Sequence, residues 1–139
     1  MGGINVGRWL AGGVVAGIVI WLIEGAGSVL YMSEMETALE ALGKKMDMGA
    51  GTWVMGAVMS LILGLALVFF YAAARPRFGA GPRTAVIVAV ALWLGSPLLS
   101  LLGYAMLDFF PRGLLVTWGV VGLVELILAG LAGGWVYRE

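Results

Sequence analysis

Four long apolar segments constrain the fold of this chain more than any other feature of its sequence. They cover about residues 9–32, 52–74, 84–107 and 114–137. A helix rises about 1.5 Å per residue, so each segment is long enough to cross the roughly 30 Å hydrocarbon layer of a bilayer. Hydrophobic residues make up 62% of the chain and charged residues 12%, whereas about 25% of a soluble domain is charged. We therefore predict an all-α membrane protein, in which residues 1–139 form one transmembrane domain with a four-helix bundle.

The segments that connect the spans carry their own signals. Ser33 and Glu36 match a capping box, and apolar residues then recur at helical spacing. This pattern predicts a short amphipathic helix at about residues 34–46, lying on the outer membrane surface. Residues 75–83 combine two prolines, two glycines and three arginines, which predicts a tight positive loop. Pro97 lies inside the third span, where it should kink the helix.

The basic residues predict an orientation. Arg8, the three arginines of the 75–83 loop and Arg138 fall at one end of the four spans. Lys44, Lys45 and Arg112 fall at the other end. Because positive charge near span ends favours the cytoplasmic side, we expect both the N and C termini to be cytoplasmic.

The second and fourth spans resemble each other. Thr52-Trp53 and Thr117-Trp118 are each followed, after six intervening residues, by a polar residue and Leu-Ile-Leu; the polar residues are Ser60 and Glu125. Two interpretations remain open. The chain is a duplication of a helical hairpin, with two hairpins in tandem, or two leucine-rich helices are similar by chance.

Small residues recur at four-residue spacing on three spans. Such rows let helix backbones approach closely in lipid. They either close the bundle or present one face to a partner chain. The predicted packing residues are Gly13, Gly17, Gly56, Gly64, Gly130 and Gly134.

Glu24 and Glu125 are the only acidic residues inside the predicted spans, and no Lys or Arg lies at their depth. An ionised carboxylate near the bilayer centre costs at least about 2.5–3.5 kcal/mol, so the neutral acid is favoured. A neutral acid can donate a hydrogen bond to a hydroxyl group or to a backbone carbonyl freed by Pro97. The candidate hydroxyl groups are those of Ser60, Ser96, Ser100, Tyr31 and Tyr104. We predict a polar layer of Glu24, Ser60, Ser96 and Glu125. It is a proton or ion site, a hydrogen-bonded link between helices, or a contact for a ligand or partner.

Several classes of function find no support in the sequence. The chain has no Cys and no His, and its formal net charge is zero. The usual ligands of haem, zinc and copper are therefore missing, as is a basic surface for nucleic acid. No nucleophile or phosphate-binding motif is present. We expect a non-enzymatic protein with no metal and no cofactor.

Three stretches together resemble a widespread group of small four-span bacterial membrane proteins of unknown function. They are INVGR at 4–8, YAAARPRFGAGPRTA at 71–85, and GLVE at 122–125 with WVYRE at 135–139. The resemblance implies a location in the bacterial inner membrane and implies no activity.

The resulting prediction is a lipid-embedded accessory or structural subunit, associated with other membrane subunits or with copies of itself. The alternative is a small proton- or ion-coupled transporter that uses Glu24 and Glu125.

Overall fold

A computed structural model describes residues 3–138, which form helices and short connections and no strand. In chain order the helices are α1 (Val6–Gly27), a 3-10 turn (Ser28–Leu30), α2 (Met32–Ala41), α3 (Ala50–Phe78), α4 (Pro82–Gly95), α5 (Pro97–Leu107) and α6 (Arg112–Val136).

Four helical segments are long and apolar enough to span a membrane: Val6–Leu30, Ala50–Phe78, Pro82–Leu107 and Arg112–Val136. The predicted four-span helical bundle is confirmed. α1 packs against α3 and α6, and α4 packs against α6. The core lies where these helices meet, around Ala16, Leu67, Val68, Ala89 and Leu126, all fully buried.

Glycine lets the backbones of α1 and α3 touch. A Cβ atom added at Gly13 would lie 2.9 Å from the Leu65 Cα, and one added at Gly17 would lie 2.9 Å from the Leu61 Cα. On α3, a Cβ at Gly64 would overlap the backbone of Gly17. A side chain at any of these positions would push the helices apart, because packed helix backbones cannot yield locally.

The contacts of α6 also depend on glycine. A Cβ at Gly133 would lie 2.9 Å from the carbonyl oxygen of Gly12, a close approach that the sequence pattern did not single out. A Cβ at Gly130 would lie 3.3 Å from the Ala85 carbonyl oxygen, and one at Gly134 would lie 3.2 Å from the Tyr71 ring. By contrast, a Cβ at Gly56 would meet only the Trp21 side chain, at an ordinary 3.9 Å.

The amphipathic helix is shorter than predicted and starts earlier. α2 spans Met32–Ala41 rather than 34–46, and Tyr31 rather than Ser33 is its N-cap. The chain passes through the 3-10 turn almost directly into α2, so Ser33 falls inside the first turn. The helix then ends because Gly43 adopts a left-handed conformation with φ 71°.

The positive loop is also shorter than predicted. α3 continues through Pro76 to Phe78, which leaves only residues 79–81 between α3 and α4. Pro76 has no N–H to donate to the carbonyl four residues earlier, and α3 ends two residues beyond it. The Gly79 N–H still donates to the Arg75 carbonyl at 2.8 Å, and the Thr84 hydroxyl donates to the Gly79 carbonyl at 2.7 Å. These bonds satisfy polar groups that a helix end leaves free.

The kink predicted at Pro97 is a complete break in the third span. α4 ends at Gly95, Ser96 has φ −136° and ψ −77°, and α5 begins at Pro97. A proline suits the first position of a helix, because its missing N–H has no partner there. Beyond the break, α5 has no buried residue.

The close packing of α1 on α3 can be tested with alanine. We expect Gly64→Ala to lower the free energy of unfolding by about 1–3 kcal/mol, because the new methyl group meets backbone atoms. SDS titration in mixed micelles measures this change. The matched control is Gly25→Ala, whose Cβ would meet nothing within 4 Å. Equal stability of the two variants would contradict the packing.

Candidate functional site

Glu24 of α1 and Glu125 of α6 lie close together because the two helices are in contact one helical turn from each glutamate. Gly27 of α1 faces Val121 of α6 so closely that a Cβ at Gly27 would lie 2.6 Å from the Val121 Cγ1. Glu24 precedes Gly27 by one helical turn, and Glu125 follows Val121 by one turn. Since the two helices run antiparallel, both glutamates lie on the same side of this contact. Their carboxyl groups are within hydrogen-bonding reach of each other.

The pair has one strongly buried member. Glu125 is 7% exposed, whereas Glu24 is half-buried. The Oε2 atom of Glu125 is buried and accepts no hydrogen bond from any group in residues 3–138. Ionised carboxylates can only accept hydrogen bonds, so two of them cannot bond to each other. The contact is favourable when one carboxyl group is protonated and donates a hydrogen bond to the other.

Tyr31 fixes the position of Glu24. Its side chain is 4% exposed, and its hydroxyl group donates a hydrogen bond to Oε1 of Glu24. The sequence predicts that a neutral glutamate donates a hydrogen bond to one of several hydroxyl groups. The Tyr31 hydroxyl does bond to Glu24, but it donates the hydrogen bond instead of accepting it. With one oxygen of Glu24 held by Tyr31, the other is left to face Glu125 or the space beside it.

The ring of Tyr31 belongs to an aromatic cluster. The Tyr31 ring stacks on Trp118 with centroids 6.0 Å apart, and Trp118 stacks on Tyr104 at 6.0 Å. Phe110 packs edge-on against both Tyr104 and Trp118. Aromatic packing therefore fixes the ring whose hydroxyl group holds Glu24.

A cavity of about 350 Å³ opens beside Glu24. Ser60 lines it together with Glu24, Tyr31 and three tryptophans, and Ser60 itself is 7% exposed. Of the predicted polar layer, the structure thus brings Glu24, Glu125 and Ser60 to one region. Ser96 is elsewhere: it is exposed at the break between α4 and α5, with no side-chain cap hydrogen bond, and it does not line the cavity.

The similarity between the second and fourth spans extends to the burial of their aligned polar residues. Ser60 and Glu125 occupy equivalent positions after the Thr-Trp pairs, and each is 7% exposed. Duplication of a helical hairpin stays a prediction.

The carboxyl pair does not extend into a larger acidic cluster. Within residues 3–138, no group of three or more acidic side chains is placed to hold a metal ion. Two adjacent carboxyl groups can share a proton or pair with a positive charge.

The opposite end of the bundle carries five of the six arginines, all except Arg112. The Asn5 N–H donates to the Tyr137 hydroxyl at 3.1 Å, and the Gly81 N–H donates to the Tyr71 hydroxyl at 3.1 Å. Arg75 lies over the Tyr137 ring, 5.4 Å from its centroid. These contacts gather the first turn of α1, the end of α6 and the α3–α4 loop at one end. A separate cleft of about 470 Å³ lies there.

Comparison with protein-family models, curated proteins and solved structures found no match to this chain. The resemblance to small four-span bacterial proteins stays a prediction.

The hydrogen bond from Tyr31 can be tested by removing a single oxygen. We expect Tyr31→Phe to lower the free energy of unfolding by about 1–2 kcal/mol, because Glu24 loses the hydrogen bond that the Tyr31 hydroxyl donates to it. Tyr104→Phe is the matched control, since its ring also stacks on Trp118 and its hydroxyl makes no hydrogen bond with the described residues. If both variants unfold alike in SDS titration, Tyr31 does not hold Glu24.

Proposed function

We propose that this protein is a proton-coupled membrane carrier, with Glu24 and Glu125 as its proton site. One observation carries the proposal: Glu125 is buried near the middle of α6, against a second acid and with no basic partner. Counted along the helix, it lies about 20 Å from Arg112 and about 17 Å from Val136. Ionisable groups at such depth often mark the path of a proton or an ion.

The pair is suited to exchange a proton rather than only to link two helices. A structural link needs a donor and an acceptor, and a serine or asparagine would supply both without the cost of a charge. Two adjacent acids instead hold one proton between them. Loss of that proton leaves negative charge in apolar surroundings, so release is favoured when another positive charge arrives.

Access to the pair supports the same function. Glu24 lines a cavity that is open to the outside of the bundle, whereas Glu125 lies behind it. A solute in this cavity would therefore contact one member of the pair directly. Its charge would act on the proton held by both.

Association with other subunits, or with further copies of this chain, is the second hypothesis. The observation that favours this hypothesis is the exposure of α5, the second half of the third span, which has no buried residue. However, the small-residue rows that first suggested a partner are used inside the bundle, at Gly13, Gly17 and Gly64. An exposed apolar face contacts lipid and protein equally well, so an accessory role stays a prediction.

The proposed location is the bacterial inner membrane, with both termini cytoplasmic. The clustering of the arginines at the end where Asn5 meets Tyr137 supports this orientation. The other end carries acidic residues and two lysines on α2 and its following loop.

The proton site can be tested by infrared spectroscopy. Near neutral pH, we expect the carbonyl stretch of a protonated carboxylic acid, because the pair retains one proton. Glu125→Gln and Glu24→Gln should each abolish or shift this band. The matched control Glu36→Gln changes an exposed acid of α2 and should leave the band unchanged. Absence of the band in the unmodified protein, or its persistence in both variants, would overturn the proposal.

The orientation can be tested because the chain contains no native Cys. Single cysteines placed by Lys44→Cys and Ala80→Cys lie in exposed connections at opposite ends of the bundle. In intact cells, a membrane-impermeant maleimide should label the cysteine at 44 and not the one at 80. Labelling of the cysteine at 80 alone would reverse the orientation.

A further inference from the structure

The cavity beside Glu24 has aromatic walls that the usual position of tryptophan does not explain. Trp53 and Trp118 lie near span ends, where aromatic residues commonly meet lipid headgroups. Trp21 instead lies about 14 Å inside its span, measured along the helix from Leu30. It packs edge-on against Trp53 with ring centroids 6.5 Å apart. All three tryptophans line the same cavity as the Glu24 carboxyl group.

This combination of groups suits a positively charged, largely apolar ligand. The faces of tryptophan rings attract cations, and aromatic cages are a common means of binding quaternary ammonium groups. Trp21 and Trp53 are the rings for this contact, because Trp118 is already stacked on Tyr31 and Tyr104. A carboxylate at the same site supplies the opposite charge. No Lys or Arg lines the cavity to repel a cation. The volume, about 350 Å³, falls in the range of small-molecule sites.

The remaining wall is formed largely by methionine. Met32 and Met35 come from α2, and Met46 and Met48 come from the connection to α3. Methionine is unbranched and polarizable, so it adapts to ligands of different shape. The end of the bundle that carries α2 also has more acidic than basic residues outside the spans. Its field attracts cations to the cavity. The acidic residues there are Glu34, Glu36, Glu40, Asp47 and Asp108.

We propose that the cavity binds hydrophobic organic cations, of the class of aromatic quaternary ammonium compounds, against the carboxylate of Glu24. The inference rests on the proposed proton site, because the cation takes the place of the shared proton. As the cation binds, the proton leaves the Glu24–Glu125 pair for the surrounding water. One positive charge enters and one leaves, so the net charge of the site is conserved. The chain therefore exchanges an organic cation for a proton.

Charge selectivity tests the site in the unmodified protein. Benzyltrimethylammonium and phenylmethanesulfonate share a benzyl group and a tetrahedral head, and they differ in the sign of their charge. In equilibrium dialysis of the purified full-length protein, we expect the cation to bind above the level of protein-free micelles, and the anion not to bind. Equal binding of both, or binding of neither, would overturn the inference.

Two variants assign the binding to named groups. Glu24→Gln should weaken binding of benzyltrimethylammonium about tenfold or more, because an ion pair in an apolar cavity is lost. Trp53→Leu should weaken it about fivefold, because an apolar side chain remains and only the attraction of the ring is lost. The matched control Trp135→Leu removes an exposed tryptophan at the other end of the bundle and should bind normally. Normal binding by Glu24→Gln would also overturn the inference.

The proton measurement separates this inference from the function on which it rests. In weakly buffered solution, benzyltrimethylammonium should release about one proton per molecule bound, and Glu24→Gln should release none. A carboxylic acid band without cation binding overturns the inference and leaves the proton site in place. In vesicles, a proton gradient should drive uptake of the same cation. Binding without uptake would leave the cation site in place and overturn the carrier function.

Discussion

The arrangement of this protein depends on how closely α1 can approach its two neighbours. In lipid there is no hydrophobic drive to bring helices together, so the attraction comes from packing at short range. Gly13, Gly17 and Gly64 allow α1 and α3 to meet at their backbones, and Gly12 and Gly133 do the same for α1 and α6. The position of Glu24 relative to Glu125 follows from that approach, since the contact between Gly27 and Val121 lies one turn from both.

The same contact creates an electrostatic constraint. Once α1 and α6 pack in this way, two carboxyl groups meet in surroundings that contain no basic side chain. Tyr31 takes one oxygen of Glu24, and its own ring is held by Trp118. The buried Oε2 of Glu125 has no hydrogen-bond partner among the described residues. Two ionised carboxylates could not bond to each other, so the contact needs a proton on one of them. In the proposed function, the wall of tryptophan and methionine beside Glu24 determines which positive charges besides a proton reach the pair.

The two ends of the bundle have different chemistry, which gives the molecule a direction. Tyr71, Tyr137 and the arginines bind the termini and the α3–α4 loop into a compact end. At the other end, α2 packs on the 3-10 turn that follows α1 and leaves a cavity beneath it. The Glu24–Glu125 pair lies between these ends, and Glu24 lines the cavity that α2 helps to form.

Most of the fold could be predicted from the sequence. The length and apolarity of the four spans are local properties, because a helix in lipid must satisfy its backbone groups within itself. The break at Pro97 followed from local chemistry too. The ends of α2 and α3 could not be placed to the residue. A 3-10 turn displaced the capping signal at Ser33, and α3 continued for two residues beyond Pro76 before it ended.

The sequence by itself determined that Glu24 and Glu125 lie in spans without basic partners, since that follows from composition along the chain. Only the tertiary structure decided that the two meet, that Tyr31 holds one of them, that Ser60 is near and Ser96 is not, and that Trp21, Trp53 and Trp118 converge on one cavity. Helical periodicity predicts the face of a helix on which a residue lies, but it does not predict which other helix packs against that face. In this protein the glycine contacts between helices determine that packing, and they depend on the shapes of both helix surfaces.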